Sequence, residues 1–587
     1  MFSLTWVACI FCCLWSAGGS ESEMILERTL SEHQVRLDIT NQKIRVSVPE
    51  RFRYRGEQEL PLNASMAGFY HGGLVSAATL AQKAKLFDDG LYAAVELACQ
   101  NGSDNLVGKR QILKELADIL AKSQGGESID ILLAGAKLGD QRFAIPEKFA
   151  ANAGRQLSEF LGNELRSKPL GFYTWNESLS SIFRQDRMLQ TVPKNPVGSA
   201  KIAKALASNP KLVAAYRQHL SLANKLTNRL KYEGYLPLLA KLANGEPVAD
   251  QQVSFLPPSR AWETDLVEQL YGDKPIPEGF QLIEEMIRRI ESGELKIHPN
   301  DQSGWYEYQT WALESLVIPD KMPEAQRLVF EDKYKKLLHE LFKGVLALTR
   351  ETHIKQLDIP LAGSAMPPKT KPTIWISPDL AVEPLPTYYQ RRAIAYGFVR
   401  KVLEDHLGKS SLQSMHRQTA VRAAEPSLDE ELTKIEQIFW GAYVASAHEI
   451  GLKTTENAEK LKAATTAFGV WSKQIAGDSD LAKDVRMMVP VFHDLQRRKT
   501  KVWAFLGWKS EDVLFAFQSK PTVASIKDKN GNTVANEDVI VKYGHQYANC
   551  AYPVFAELYV SQLLNRDEFR AHCDKYKTKD EILKNLK

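Results

Sequence analysis

Helical periodicity dominates this chain. From about residue 64 to residue 490 its apolar residues recur at three- and four-residue intervals, the spacing that gathers them on one face of an α-helix. Leu74, Ala77, Ala78, Ala81 and Ala84 open the pattern, and Asp88-Asp89-Gly90 reads as a break after it. Ile112, Leu113, Leu116, Ile119 and Leu120 form a second stripe. Thr174-Trp175-Asn176-Glu177 has capping-box spacing ahead of Leu179, Ile182, Phe183 and Leu189. Asn209-Pro210 joins a cap to a first-turn proline. Longer stripes cover about 211–231, 279–291, 324–357, 387–407 and 429–451. No fixed repeat of roughly 20–50 residues runs through them, which disfavours a regular solenoid.

The two ends follow a different rule. Val35, Leu37 and Ile39 alternate with Arg36, Asp38 and Thr40; after Asn41-Gln42, Ile44, Val46 and Val48 alternate with Lys43, Arg45 and Ser47. Period two on both sides of a turn predicts a β-hairpin. Near residue 500, Val502, Ala504 and Leu506, then Val513, Phe515 and Phe517, then Val523 and Ile526 suggest strands, with Asn530-Gly531 as a tight turn. Helices are expected near 553–564 and 567–575. The predicted fold is therefore mainly α: a large helical body with a small N-terminal β-hairpin and a small C-terminal antiparallel sheet. In segments, this gives a signal peptide over 1–20, a β-hairpin segment over 21–60, helical regions over 61–358 and 387–490 around a proline-rich loop at 359–386, a small β region over 491–550 and C-terminal helices over 551–587. A loop as long as 359–386 is uncommon inside a compact domain and tends to be functional.

An uncharged apolar run from Leu4 to Trp15, followed by Ser16-Ala17-Gly18-Gly19-Ser20, has the pattern of a secretory signal with cleavage at 18–20. The run is too short to span a bilayer as a helix, and no later stretch is long enough, so no transmembrane segment is expected in the mature chain. The expected address is secreted or periplasmic. Of six cysteines, Cys9, Cys12 and Cys13 fall in that signal, leaving Cys99, Cys550 and Cys573. An odd number permits at most one bridge, with Cys550 and Cys573 the nearer pair; Cys99 reads as a small apolar residue of a helix. Lys plus Arg number 75 against 71 Asp plus Glu, a net charge of +4. Nucleic-acid binding needs a dense basic face, so nucleic acid is excluded as a main partner.

Complete catalytic motifs fail on spacing. His339-Glu340 and His448-Glu449 lack the second histidine of a zinc-protease helix, since Lys343 and Leu452 stand there. Gly108-Lys109-Arg110 is no phosphate loop, no Gly-x-Ser-x-Gly elbow occurs, and Asp528–Asn532 lacks the closing glutamate of a calcium loop, Val539 standing in its place. No cofactor and no metal site are expected. Asn63, Asn101 and Asn176 begin glycosylation sequons that matter only in a glycosylating host.

One region is denser in chemistry. His298 leads a polar, aromatic loop into Trp305-Tyr306-Glu307-Tyr308, where Asp301 or Ser303 can cap a helix. A helix uncharged from Gly344 to Thr349 then presents Arg350-Glu351-Thr352-His353, and the long loop ends at Glu383-Pro384-Leu385-Pro386-Thr387-Tyr388-Tyr389-Gln390-Arg391. If these pieces form a cleft, His298, Glu351, His353 and Glu383 are the catalytic candidates for acid–base work. Trp305, Tyr306, Tyr308, Arg350, Tyr388, Tyr389 and Arg391 are then the ligand-binding candidates. The simpler reading is structural. Charges following an apolar run are partly buried and need partners, so Arg350, Glu351 and His353 form an interhelical hydrogen-bonded network, and Glu383 caps the helix opening at Pro386.

Gly171-Phe172-Tyr173-Thr174, Trp305-Tyr306-Glu307-Tyr308, Arg350-Glu351-Thr352-His353 and Val382–Tyr389 occur in this order. In these motifs the chain resembles, over roughly residues 165–410, a family of secreted, mostly helical bacterial proteins catalogued only as a domain of unknown function. The resemblance implies an exported helical protein and carries over no catalytic residue. The functional expectation is an exported protein that binds a small molecule, a glycan or an envelope partner. The alternative is a hydrolase or lyase acting on polysaccharide or another envelope polymer.

Overall fold

The computed structural model describes residues 25–30, 33–38, 43–47, 62–69, 74–272, 276, 277, 279–357, 380–450, 452, 454, 456–518, 522–527, 533–539, 546–576 and 578–586. The signal at 1–20, the Asn530-Gly531 turn and the proline-rich loop up to residue 379 lie outside the described residues.

The chain is mainly α, as its periodicity predicts. The helices used below are Ala77–Asn101 (α1), Lys109–Leu120 (α2), Glu127–Gly139 (α3), Glu177–Leu189 (α4), Trp305–Val317 (α5), Asp332–Thr352 (α6), Pro386–Leu407 (α7), Leu428–Glu449 (α8), Ala458–Lys473 (α9), Arg566–Cys573 (α10) and Lys579–Lys584 (α11). No described helix is long and apolar enough to cross a membrane. α1 does not break at Asp88-Asp89-Gly90: it runs through them, buried on nearly all sides. Gly90 is present for close approach rather than to end the helix. A Cβ there would meet Arg417 Cγ and the Gln418 carbonyl at 2.4 Å, and the Gln418 amide donates to the Gly90 carbonyl at 3.0 Å. The cap of α4 is Asn176, whose side chain accepts from the Leu179 amide at 2.9 Å, so the cap lies two residues beyond Thr174 and, with Leu179 as the third helical residue, no capping box forms. α5 starts after Gly304 without a side-chain cap; Ser303 instead accepts from the Asn300 amide.

Nine described strands build two sheets: β1 (Ile25–Leu30), β2 (His33–Asp38), β3 (Lys43–Ser47), β4 (Leu328–Phe330), β5 (Met487–Asp494), β6 (Lys499–Gln518), β7 (Thr522–Lys527), β8 (Thr533–Val539) and β9 (Gln546–Val560). The smaller sheet has the order β1-β2-β7-β8. In the larger, β6 is the central strand. It pairs antiparallel with β5 and β3 along one edge and with β9 along the other, and β4 lies parallel to β3. The N-terminal hairpin therefore forms between β1 and β2. The strands flanking Asn41-Gln42 go to different sheets, because alternation marks strands but not their partners.

Residues 553–560, predicted to be helical, are the end of β9. Both faces of this strand are covered, so it reads as a continuous apolar run that periodicity does not distinguish from a buried helix. Val554, Leu558 and Val560 meet α10 and α11 in one apolar cluster, while Phe555 faces the main core. The predicted helical region up to 490 likewise ends before β5, another continuous apolar run.

The main core joins α1, α5 to α9 and the inner face of the larger sheet. A second core lies among the helices between residues 109 and 256. Gly507 creates a bulge in β6 with φ +132°; a Cβ there would lie 2.8 Å from the Asn63 carbonyl. Next to it the fully buried Trp508 donates from Nε1 to Gln82 Oε1 at 2.6 Å. The Gln82 amide nitrogen donates to the carbonyls of Asp480, Leu481 and Lys483 at 2.9–3.1 Å. One buried glutamine thus ties α1 and the sheet to the turn before β5. Cys99, Cys550 and Cys573 are free and buried, so the Cys550–Cys573 bridge is not formed.

Candidate functional site

The charged end of α6 is enclosed. Lys85 Nζ of α1 donates to Asp89 Oδ1 at 2.8 Å, Glu351 Oε2 at 2.6 Å and Thr352 Oγ1 at 2.9 Å. Arg566, at the start of α10, donates from Nε to Glu351 Oε1 at 2.8 Å and from Nη2 to Asp89 Oδ2 and Glu351 Oε2. Two cations and two carboxylates share a buried site, each held by at least two partners. Burial by itself pushes the Glu351 carboxyl up, but the charges of Arg566 and Lys85 outweigh it and hold the group down at about 2. Gly171 faces this carboxylate at φ +59°, where a Cβ would come within 3.1 Å of the Glu351 carboxyl carbon.

A folded-state value of about 2 for Glu351 lies below the ordinary glutamate value of about 4.3. Its contribution, about 3 kcal/mol on that difference, is present above pH ~4.3 and is lost as the pH falls through about 2. Urea titrations at stepped pH should therefore show stability falling across that window, with a smaller fall in Glu351→Gln.

His353 closes the same helix. Its Nε2 faces Gln309 Oε1 at 2.9 Å and its Nδ1 faces Thr227 Oγ1 at 3.2 Å. Gln309 donates its amide to Asp88 at 2.8 Å, so its oxygen must accept, which assigns the proton of His353 to Nε2. The rings of Tyr92, Trp305 and Tyr306 pack edge-on against the imidazole. Burial, then the charges of Lys85 and Arg392, push the ring well below its ordinary value, so it stays neutral. Arg350 is fully buried, paired with Glu263 and lying over Trp503; Tyr306 donates to the same carboxylate at 2.5 Å.

Glu383 is also fully buried, and it caps α1 rather than α7: the Ala77 amide donates to Oε2 at 2.8 Å, and the Tyr334 and Tyr552 hydroxyls donate to Oε1 at 2.5 and 3.1 Å. Tyr389 donates to its backbone carbonyl at 2.9 Å, and Tyr388 is fully buried beside it. Arg391 is paired with Glu314 at 2.9 Å and lies over Trp311. Tyr308, half-buried, stacks on Phe398. His298 is set apart on the surface, its side chain 66% exposed, with Glu314 3.9 Å away. The structure thus buries Arg350, Glu351, His353, Trp305 and Tyr306 around the end of α6, with Glu351 held by Lys85 and Arg566, Arg350 and Tyr306 meeting on Glu263, and His353 set between Gln309 and Thr227. A second buried cluster lies just past it, where Lys109 and Lys355 share Glu96 and Asp186, and Tyr173 donates to Glu96 at 3.0 Å.

An open cavity lies on the far side of Arg566. It is a cleft of about 650 Å³ walled by Trp175, the loop 417–426, the turn 479–484 and the start of α10. Two of its arginines are held from behind. Arg417 donates from Nε to both Glu431 oxygens at 3.1 Å and from Nη1 to the Leu86 carbonyl and Asp480 at 3.2 and 3.3 Å. Arg566 uses Nε and Nη2 on Glu351 and Asp89. Among the described residues, Nη2 of Arg417 and Nη1 of Arg566 have no protein acceptor and both residues line the cleft. Arg422, Lys483 and Arg570 complete the basic rim, with Asp480, Asp484, Asp567 and Glu425 between them. Trp175, half-buried, offers an apolar ring.

None of Arg417, Arg422, Lys483, Arg566 or Arg570 was a candidate from sequence. The one local signal was a run of arginine and alanine without helical period at 417–424; nothing local links it to residue 566. Because Gly90 seats this loop, Gly90→Ala is expected to displace Arg417 and lower stability by about 1–3 kcal/mol, measurable as a lower urea midpoint at unchanged slope. No protein-family model matches the chain, and no curated protein or solved structure matches it either.

Proposed function

We propose that the protein is a non-catalytic binding protein, and that the cleft between Trp175 and α10 holds an acidic ligand with one flat apolar face. The observation carrying this reading is the pair of guanidinium groups of Arg417 and Arg566. Each is fixed by carboxylates behind it and each has one nitrogen left for the cleft. A guanidinium whose orientation is already set loses little entropy on binding and recognises carboxylate or phosphate by directed hydrogen bonds. Trp175 adds a ring on which a sugar can stack. An acidic oligosaccharide of the cell envelope fits both features. It also agrees with the export implied by the Leu4–Trp15 run and with the resemblance over residues 165–410.

For the hydrolase or lyase alternative, the four candidates do not converge: His298 lies exposed and apart from the other three. Glu351, His353 and Glu383 are buried and fully hydrogen-bonded, and general acid–base work requires reach to a substrate.

Thermal unfolding with trigalacturonate, citrate and maltotriose at fixed ionic strength tests the proposal. The two acids are expected to raise Tm, trigalacturonate more than citrate, and neutral maltotriose to leave it unchanged. No shift with either acid, or an equal shift with maltotriose, would contradict it.

A further inference from the structure

A second cavity, of about 410 Å³, lies between the ends of α1 and α3, the start of α2 and the first turns of α4. Its volume is within the ordinary range of ligand sites. It borders the same stripe of α1 as the cleft. Leu86 lines the cleft and Leu97 the second cavity, and both are half-buried. Eleven residues apart, they stand about 20° from each other around the helix and about 16 Å apart along it. Between them the turn Gly171–Thr174 and the start of α4 sit on α1. Phe172 packs against Tyr92 of α1 with ring centres 5.8 Å apart, and Trp175 packs against Phe172 at 5.9 Å. Trp175 walls the cleft, while Glu177 and Ser178 wall the second cavity. The partition is thus a single turn of chain, exposed from Asn176 to Ser178.

The second cavity differs from the cleft in chemistry. Its charged groups face partners in the protein. Arg110 donates from Nη1 to Asn101 at 3.0 Å, and Asp140 lies 3.5 Å from its Nε. Glu177 takes the Ser181 hydroxyl at 3.4 Å and the Arg184 guanidinium at 3.3 Å. Gln100, buried at the wall, is fixed by a reciprocal amide pair with Gln185 at 2.8 and 3.0 Å. Gln141 and Ser178, both exposed, bring a further amide and a hydroxyl to the rim. Amides and hydroxyls donate and accept alike, which matches the hydroxyls of a neutral sugar. A carboxylate entering here would meet Asp140 and Glu177 against Arg110, a balance that disfavours it.

We propose that the second cavity is a subsite for an uncharged, hydroxyl-rich sugar. The ligand is then a heteroglycan that crosses the Asn176–Ser178 turn, with an acidic unit in the cleft and a neutral unit in the second cavity. This rests on the reading of the cleft as an acidic-glycan site and adds to it the length and the mixed composition of the glycan.

Calorimetric titration of the intact protein with hyaluronan fragments, which alternate glucuronate with N-acetylglucosamine, tests the proposal. The disaccharide is too short to reach both cavities and the hexasaccharide is long enough. The hexasaccharide is expected to bind at least about tenfold more tightly than the disaccharide. Ser178→Tyr sets a ring at the mouth of the second cavity from an exposed helix position. It should abolish this gain while leaving the affinities for the disaccharide and for trigalacturonate unchanged. A hexasaccharide that binds no more tightly than the disaccharide, or a gain that survives in Ser178→Tyr, overturns the second subsite, and binding of trigalacturonate in the same protein then still upholds the cleft. Absence of binding by both fragments and by trigalacturonate overturns the two readings together.

Discussion

Glu351→Gln is expected to lower the free energy of unfolding by about 3–5 kcal/mol, because it strands charges in a core that cannot hydrate them. Lys85 and Arg566 would be left sharing Asp89 alone. Glutamine keeps the volume of the side chain, so a loss of this size reports charge and not a cavity. The effect should also reach the surface. Glu351 holds Nε of Arg566, and Arg566 is a wall of the cleft, so any acidic ligand bound there should bind more weakly in this variant. Equilibrium urea unfolding followed by tryptophan fluorescence reads the first effect directly.

Lys355→Met is expected to have a similar effect, again about 3–5 kcal/mol, at an independent place. Lys355 is shared by Glu96 and by Asp186, the latter at 2.6 Å, and all three are buried. Burial alone pushes the Asp186 carboxyl up; Lys109 and Lys355 reverse the direction and pull it down. Without Lys355, one ammonium is left for two carboxylates. Adding Asp186→Leu to Lys355→Met removes the stranded charge, and the double variant should recover most of the loss. Two single-site losses that simply add would contradict this shared-network account.

The helical body was legible because amphipathic spacing is local: Asn209-Pro210, for example, stands at the start of the helix at Pro210. The errors came where burial on both sides erased the local signal. β9 is apolar on both faces, and the Asp88-Asp89-Gly90 break is a buried stretch whose charges meet partners as far as 477 residues away in sequence. That Arg350, Glu351 and His353 are buried and partnered was legible as one of two readings, since charges after an apolar run must be paired. The cleft was not. Its two anchored arginines come from a loop and a C-terminal helix, and what makes them available is the placement of Glu431, Asp480, Asp89 and Glu351 behind them.

Calorimetric titration of trigalacturonate into the parent protein, Trp175→Ala, Arg422→Glu and the surface control His298→Ala tests the central claim most directly. Trp175 and Arg422 line the cleft while His298 lies outside it, and neither cleft residue belongs to a buried charge network. Saturable binding that weakens at least about tenfold in both cleft variants, a loss of 1.4 kcal/mol or more, and is unchanged in His298→Ala is the expected result. Binding that is equally strong in all four proteins, or that is absent from the parent, would contradict the assignment of the cleft as the ligand site.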